Sequence, residues 1–202
     1  IDRNTGGLVL CAKNAMALQE MNEIIKQRQV EKVYRCVTVG GPSPAHAVCK
    51  AFLRRDTKAK TVCVFDKPQP DAKTIITEYR VLRQKNGLTL LEVTLHTGRT
   101  HQIRAHMAHM GWPLLGDELY GGPMEEFSRQ ALHCAGVAFT HPITGEQLCL
   151  SAPLPGDMAG LLEGKGIDWA PVLAPFVEEL LTVKPTTVEE ITERYRKPKR
   201  RK

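Results

Sequence analysis

The sequence contains no long apolar run and no pattern typical of export. No stretch approaches the roughly 18 consecutive apolar residues that a membrane-spanning helix requires. No charged-then-apolar signal segment opens the 202 residues, and the six cysteines include no Cys-x-x-Cys pair. We therefore expect an intracellular protein with free thiols and no membrane partner, whose compartment stays open between cytoplasm, nucleus and organelle.

Several motifs of cofactor and nucleophile chemistry are also missing. The chain has no P-loop and no Gly-x-Gly-x-x-Gly turn, which argues against a nucleotide cofactor. It has no Gly-x-Ser-x-Gly turn for a serine nucleophile. His101, His106 and His109 lack the His-Glu-x-x-His spacing, and His101 and His106 would point to different faces of a helix. We predict neither a metal nor a cofactor.

Charge is present in both signs but is divided along the chain. Residues 1–145 carry 19 basic and 13 acidic residues, residues 146–193 carry 2 and 9, and residues 194–202 carry 7 and none. A hydrophobic content of 42% is sufficient for one real core. The last nine residues are too charged and too poor in apolar side chains to pack, and they are predicted to form an exposed tail.

The order of predicted elements indicates an α+β domain. Asn86-Gly87 between two β-rich runs is a strong hairpin signal, because both residues accept positive φ. Asn14 is predicted to cap a helix with Leu18, Met21 and Ile25 on its inner face, widened by Ile24. Thr100 is predicted to cap a second helix that buries Ile103, Met107 and Met110. Strands are predicted at 7–12, 32–39, 61–65, 74–83, 88–96, 131–139 and 146–151, and helices from 14 to 28, 100 to 110, 156 to 162 and 169 to 181.

A mixed, largely antiparallel sheet flanked by helices follows from this order. We assign residues 1–183 to one domain and residues 184–202 to a C-terminal extension with a basic tail.

Four features of the sequence suggest chemistry, and each leaves a plainer alternative open. Asp2 precedes a glycine-rich turn, which is either the rim of a site or an Asx turn that closes a loop. Arg104 borders the predicted buried stripe and needs an acidic partner, unless its stem simply packs along the surface. Tyr34 in a basic strand is suited to stacking on a base or to packing in a core. The basic segment 50–60 is either an RNA contact or a solvated loop.

Taken together, the motifs resemble the RluA-type pseudouridine synthases in order and spacing, over roughly residues 1–156. The matching segments are Asp2-Arg3-Asn4-Thr5-Gly6-Gly7-Leu8-Val9-Leu10, Lys32-Val33-Tyr34, Gly98-Arg99-Thr100-His101-Gln102-Ile103-Arg104-Ala105-His106, Pro113-Leu114-Leu115-Gly116-Asp117 with Tyr120-Gly121, and Leu132-His133 with His141-Pro142-Ile143-Thr144-Gly145. One departure is Thr5-Gly6-Gly7, where the family usually has Thr-Ser-Gly.

The resemblance implies an RNA pseudouridine synthase that isomerises specific uridines of ribosomal or transfer RNA. It implies that Asp2 is the catalytic carboxylate, that Tyr34 stacks on the flipped uracil, and that Arg104 pairs with Asp2. A neighbouring guanidinium favours the ionised form of a carboxylate, which agrees with that pairing. The substrate-binding residues that it implies are Arg3, Thr5, Arg99, His101, Gln102 and Leu115.

Two other functions stay open at this point. A catalytically silent RNA-binding or ribosome-assembly factor on the same fold is the first, although the joint presence of Asp2, Tyr34 and Arg104 argues against it. A sugar hydrolase is the second, and it would need a further converging carboxylate. The family's basic residue before the aspartate has no counterpart here, so we expect the native chain to begin upstream and these 202 residues alone to be weakly active or inactive. We expect a monomer.

Overall fold

The computed structural model describes residues 1–172, which form one mixed sheet of eight strands flanked by three α-helices. The strands are β1 (Gly6–Gly7), β2 (Val30–Val39), β3 (His46–Asp56), β4 (Thr61–Phe65), β5 (Lys73–Lys85), β6 (Leu88–Leu95), β7 (Leu132–Thr140) and β8 (Gln147–Ser151). The helices are α1 (Ala15–Lys26), α2 (Gln102–His109) and α3 (Gly156–Gly164), with single 3-10 turns at Glu118–Tyr120 and Ala170–Val172. Within this part of the chain, no helix has the length and hydropathy needed to cross a bilayer.

The sheet has the strand order β1-β7-β2-β6-β5-β3-β4, and β8 pairs with β7. All of these neighbours are antiparallel except β1 and β7, which run parallel. The predicted mixed, largely antiparallel sheet is therefore confirmed. The β5–β6 hairpin turns at Asn86-Gly87, where both residues have the positive φ that the sequence predicts.

The side chains of β2 alternate between two apolar cores, one on each face of the sheet. Tyr34 and Cys36 pack on one face beneath α2, against its Ile103 and Met107. Val37 packs on the opposite face, in the core that α3 closes. Full burial of one such aliphatic side chain stabilises the fold by about 1.5–3 kcal/mol. The strand that carries Tyr34 is thus fixed from both sides.

The strand predicted at 7–12 is wrong in its extent, because β1 holds only Gly6 and Gly7. Gly7 has φ +103°, and a Cβ there would lie 2.2 Å from the Cys134 carbonyl oxygen, so the close parallel pairing requires glycine. Beyond it, Leu8 and Leu10 pack against the core without continuing the sheet. The apolar run reflects packing and not a long ladder of hydrogen bonds.

Helix α1 has the predicted cap but not the predicted inner face. The Asn14 side chain accepts a hydrogen bond from the Ala17 amide at 2.8 Å, which confirms the cap. Ile24 is the buried residue of this helix, whereas Leu18 and Ile25 are 53% and 40% exposed. The helix lies at the margin of the fold, so the residues described here cover only part of its apolar stripe.

Strand β3 is missing from the predicted elements, and its hairpin with β4 includes the segment that could have been a solvated loop. Its sequence mixes small residues with exposed Lys50, Arg54 and Arg55, a composition that does not separate an exposed strand from a loop. The hairpin turn adds exposed Lys58 and Lys60. Predictions for the helix end at residue 181, the domain boundary at 183 and the tail 194–202 fall outside the described residues.

Candidate active site

The Asp2 carboxylate is held by a turn that is tied to distant parts of the chain. The Thr5 amide donates to the Asp2 carbonyl at 3.1 Å, which closes the turn. The side-chain amide of Gln130 donates to the Arg3 carbonyl at 2.6 Å and to the Thr5 hydroxyl at 3.2 Å. Since Gln130 is only 4% exposed, it acts as an internal clamp. The Asp2 side chain remains 20% exposed and so is accessible to a ligand.

Arg104 of α2 contacts two carboxylates. Its Nε and Nη2 each donate to Asp117 at 2.7 Å, in a paired geometry, while Nη1 lies 3.7 Å from Asp2 Oδ2. Burial opposes the charged guanidinium, but the hydrogen bonds and charge of Asp117, together with the charge of Asp2, outweigh it and raise the pKa of Arg104. Asp117 thus makes both short hydrogen bonds to Arg104. The Asp2 carboxylate lies near the positive charge of Arg104 but remains partly exposed.

Tyr34, the second predicted catalytic residue, lies on β2 and is 7% exposed. Burial raises the pKa of its phenol strongly, and the neighbouring Cys134 thiol and the charge of Asp2 act in the same direction. The phenol is therefore protonated at neutral pH. Tyr34 pairs with Cys134 of β7, which also pairs with Gly7 in the turn that follows Asp2, and it packs with Ile103 of α2. The two predicted catalytic side chains and Arg104 therefore share one locality.

His101 and Tyr120 extend the site on the other side of Arg104. The cap of α2 is His101 and not Thr100, since His101 takes the left-handed conformation with φ +53° at the helix start. Its Nδ1 lies 2.8 Å from the Tyr120 hydroxyl, which also accepts a hydrogen bond from the Val62 amide at 3.1 Å. The Arg104 guanidinium sits 5.2 Å from the centre of the Tyr120 ring, a cation–π distance.

The remaining predicted substrate-binding residues separate into exposed and interior groups. Arg3 and Arg99 are exposed, which leaves them accessible to RNA. Gln102 is 2% exposed: its oxygen accepts from the Thr97 hydroxyl and the Arg99 amide, and its nitrogen donates to the Ile76 carbonyl and the Thr77 hydroxyl. Its amide is thereby saturated by internal partners, and an RNA contact through Gln102 stays a prediction.

The side chains of Leu115 and Thr5 also contact other parts of the protein. Leu115 is 2% exposed and packs in the core that α3 closes, and its place in the wall of the site stays a prediction. The Thr5 hydroxyl is bonded to Gln130, which makes it part of the turn that carries Asp2.

The basic β3–β4 hairpin stands next to the site. Arg55 is exposed and lies near enough to His101 for its charge to contribute to the lowered pKa of that imidazole, after burial and the charge of Arg104. Arg54 stacks on Phe65 at 5.2 Å. Exposed cations on this hairpin and on Arg99 provide a surface for a polyanion.

The arrangement is suited to chemistry that uses a carboxylate. Among residues 1–172, no three potential ligands of a metal gather in one place. His106 instead bonds to Thr77 in the interior, and His109 pairs with Asp66 at the surface. An accessible carboxylate beside a fixed guanidinium and a protonated tyrosine can act as a nucleophile or a base.

Sequence reasoning did not assign roles to Asp117, Tyr120 and Gln130. Asp117 and Tyr120 stand three residues apart, a spacing that places both on one turn, and this was the available signal. Gln130 contacts Arg3 and Thr5 across more than 120 residues of sequence, and no local sequence pattern predicts that contact.

Comparison with known proteins identifies the relatives of this chain. Residues 1–109 match the family described as RNA pseudouridylate synthase. An uncharacterized RNA pseudouridine synthase of Chlorobaculum parvum is 41% identical over 79% of this chain and 54% of its own length. The ribosomal large subunit pseudouridine synthase D of Haemophilus ducreyi is 36% identical over 84% of this chain and 55% of its own length. The chain thus spans about half the length of these curated relatives.

The fold comparison agrees. The human RNA pseudouridylate synthase domain containing 1 structure is similar with a TM-score of 0.67 and 25% identity, over 76% of this chain and 66% of that one. Because the family match covers more than half of the residues and includes Asp2, Tyr34 and Arg104, the chain belongs to the RNA pseudouridylate synthase family.

Proposed function

We propose that the protein is an RNA pseudouridine synthase in which Asp2 is the catalytic carboxylate. The observation that carries this proposal is the position of Asp2, accessible at 20% exposure, 3.7 Å from an Arg104 that Asp117 holds in place. The protonated Tyr34 lies in the same locality. The family relationship supports the proposal, because curated relatives carry that name.

The proposed reaction balances without any cofactor. Asp2 either attacks C1′ of the target uridine and forms an ester as the bond from C1′ to N1 breaks, or it removes the C2′ proton as that bond breaks. The released uracil turns and its C5 bonds to C1′, while the Asp2 ester breaks on the first route or the proton returns to C2′ on the second. C5 then loses its proton and N1 gains one. In this proposal Tyr34 stacks on the base and assists that proton transfer. Flipping the uridine out of its helix or loop costs a few kcal/mol, which stacking and phosphate contacts must offset.

Ribosomal RNA is the substrate that we propose first. The relative from Haemophilus ducreyi is named for the large ribosomal subunit, and exposed Arg3, Arg55 and Arg99 are suited to backbone phosphates. Transfer RNA is the alternative that the test below distinguishes. An intracellular location and a monomeric state stay predictions.

Pseudouridine mapping tests this function directly. Cells that lack the gene are expected to lose pseudouridine at one or a few positions of ribosomal RNA. The measurement is a transcriptome-wide map of ribosomal and transfer RNA, with the gene restored as the control. Loss of pseudouridine in transfer RNA alone would show that transfer RNA, not ribosomal RNA, is the substrate. A map without any lost pseudouridine would refute the proposed function.

Removal of residues 194–202 is expected to weaken RNA binding without changing the modified position. The seven positive charges of this segment suit it to nonspecific phosphate contacts. Each lost contact should reduce the slope of log K against log salt by about 0.7–0.9. Binding titrations at several salt concentrations measure that slope, and pseudouridine mapping of the truncated protein measures site choice. A changed position would show that the tail takes part in recognition.

A further inference from the structure

We propose that Tyr120 is a positioning residue of this site: its hydroxyl fixes His101 as a neutral imidazole that donates from Nε2 to an oxygen of the RNA backbone, and its ring supports Arg104. The inference rests on the proposed function, since it assigns an RNA contact to the same site.

The turn that carries Tyr120 is tightly packed. Gly116 has φ +73°, and a Cβ there would lie 2.0 Å from the Arg129 carbonyl oxygen, while a Cβ at Gly122 would lie 1.9 Å from the Leu114 carbonyl oxygen. The Tyr120 amide donates to the Asp117 carbonyl at 3.1 Å. Asp117 and Tyr120 therefore move together, and both hold Arg104, one by hydrogen bonds and the other by its ring.

The hydrogen bonds of the Tyr120 hydroxyl favour one tautomer of His101. The Val62 amide already donates to the hydroxyl oxygen, so the hydroxyl proton is the complementary partner for His101 Nδ1. An imidazole that accepts at Nδ1 carries its own proton on Nε2. Within residues 1–172, Nε2 has no hydrogen-bond partner, so this donor is available to a ligand.

The surroundings of His101 favour its neutral form. Burial lowers the pKa of the imidazole, and the charges of Arg104 on α2 and Arg55 on β3 act in the same direction. Asp2 and Asp117 oppose them but do not reverse the result. At neutral pH the ring is thus a directional donor that adds no positive charge to the site.

An RNA backbone oxygen is the acceptor that best fits this donor. His101 stands at the first turn of α2, and the exposed Arg99 lies two residues before it. Arg99 and Arg55 supply the charge that attracts a phosphate, and a neutral imidazole between them supplies direction. His101, which carries this donor, has a left-handed backbone conformation that is rare outside glycine.

A double-mutant cycle tests the inference in the natural protein. Tyr120→Phe keeps the ring under Arg104 and removes only the hydroxyl. His101→Asn removes the imidazole, and asparagine tolerates the left-handed backbone. We expect either change to raise KM for the RNA about tenfold at nearly constant kcat, the effect of losing one charge-assisted hydrogen bond in the ground state. The double variant should be no worse than His101→Asn alone.

Further variants separate positioning from a general structural effect. Tyr120→Leu removes the ring as well, so kcat should fall in addition to the rise in KM. Tyr79→Phe is the matched control, because it deletes a hydroxyl that bonds to the Pro44 carbonyl away from the site, and it should leave both constants unchanged. Nitrogen-15 NMR should show the Nε2–H tautomer of His101 in the wild type and a mixture of tautomers in Tyr120→Phe.

The outcomes distinguish this inference from the proposed function. The same cycle is measured in the dissociation constant for the RNA, so it remains informative if the wild type forms no pseudouridine, a result that would refute the proposed function alone. Additive effects of Tyr120→Phe and His101→Asn, or an Nδ1–H tautomer in the wild type, would overturn the inference while leaving the function standing.

Discussion

Replacement of Asp2 by asparagine is expected to abolish pseudouridine formation while leaving RNA binding largely intact. Asparagine matches the shape of aspartate but is neither a nucleophile nor a base at neutral pH. Loss of a positioned acid–base group alone costs about 10²–10⁴-fold in rate, and loss of a nucleophile costs more. The measurement is tritium release from RNA labelled at C5 of uridine, together with a binding titration.

The binding titration separates catalysis from a merely structural effect. Gln130 holds the turn around Asp2 through the Arg3 carbonyl and the Thr5 hydroxyl, so asparagine at position 2 leaves those contacts unchanged. Asp2→Ala is the companion variant, because it also removes the partner of Arg104 Nη1. Tritium release by Asp2→Asn at the wild-type rate would exclude Asp2 as the catalytic group. No release by the natural wild-type protein would favour the RNA-binding factor instead.

The parts of the fold that sequence predicted are those set by local chemistry. Asn14 caps α1 through its own side chain, and Asn86-Gly87 supplies two residues with positive φ at a hairpin. Both signals act over a few residues, so a single sequence displays them. Strand β3 was missed because its identity depends on pairing with β5 and β4 and not on its own composition.

The candidate site shows the same division between local and distant information. The need of Arg104 for an acidic partner could be argued from its place beside the buried stripe of α2. The identity of the main partner could not, because Asp117 lies 13 residues away and reaches Arg104 only through the turn that follows the helix. The resemblance supplied Asp2 as the partner, whereas the structure gives Asp2 the longer contact and Asp117 the two short ones.

At the start of α2 the residue at the capping position differs from the one that local preference predicts. Thr100 has the chemistry of a cap, yet His101 occupies the capping position without a side-chain cap bond. The His101 side chain is engaged by Tyr120 instead. Capping rules predict a residue whose side chain accepts hydrogen bonds from the free amides at the helix start. The residue at this position instead forms a hydrogen bond with Tyr120 across the site.

Replacement of Asp117 by alanine is expected to destabilise the protein by about 3–5 kcal/mol, because it leaves the guanidinium of Arg104 in the interior without its main partner. The side chains of Arg104 and Asp117 are only 8% and 1% exposed, so water cannot replace the lost hydrogen bonds. Denaturant unfolding measures the change. Asp117→Asn, which keeps the shape and one acceptor, should cost less. An alanine variant as stable as the wild type would show that the pair contributes nothing to the fold.

A third variant separates the contribution of this pair to stability from its contribution to catalysis. Arg104→Met combined with Asp117→Leu removes both charges and should recover most of the stability lost in Asp117→Ala, since apolar pairs often replace buried ion pairs without cost. It should not recover tritium release, because Asp2 would face no cation at 3.7 Å. If the double variant were both stable and active, the guanidinium would have no role in the reaction. A stable but inactive protein would show that the pair serves the reaction through the positive charge of Arg104, which Asp117 holds next to Asp2.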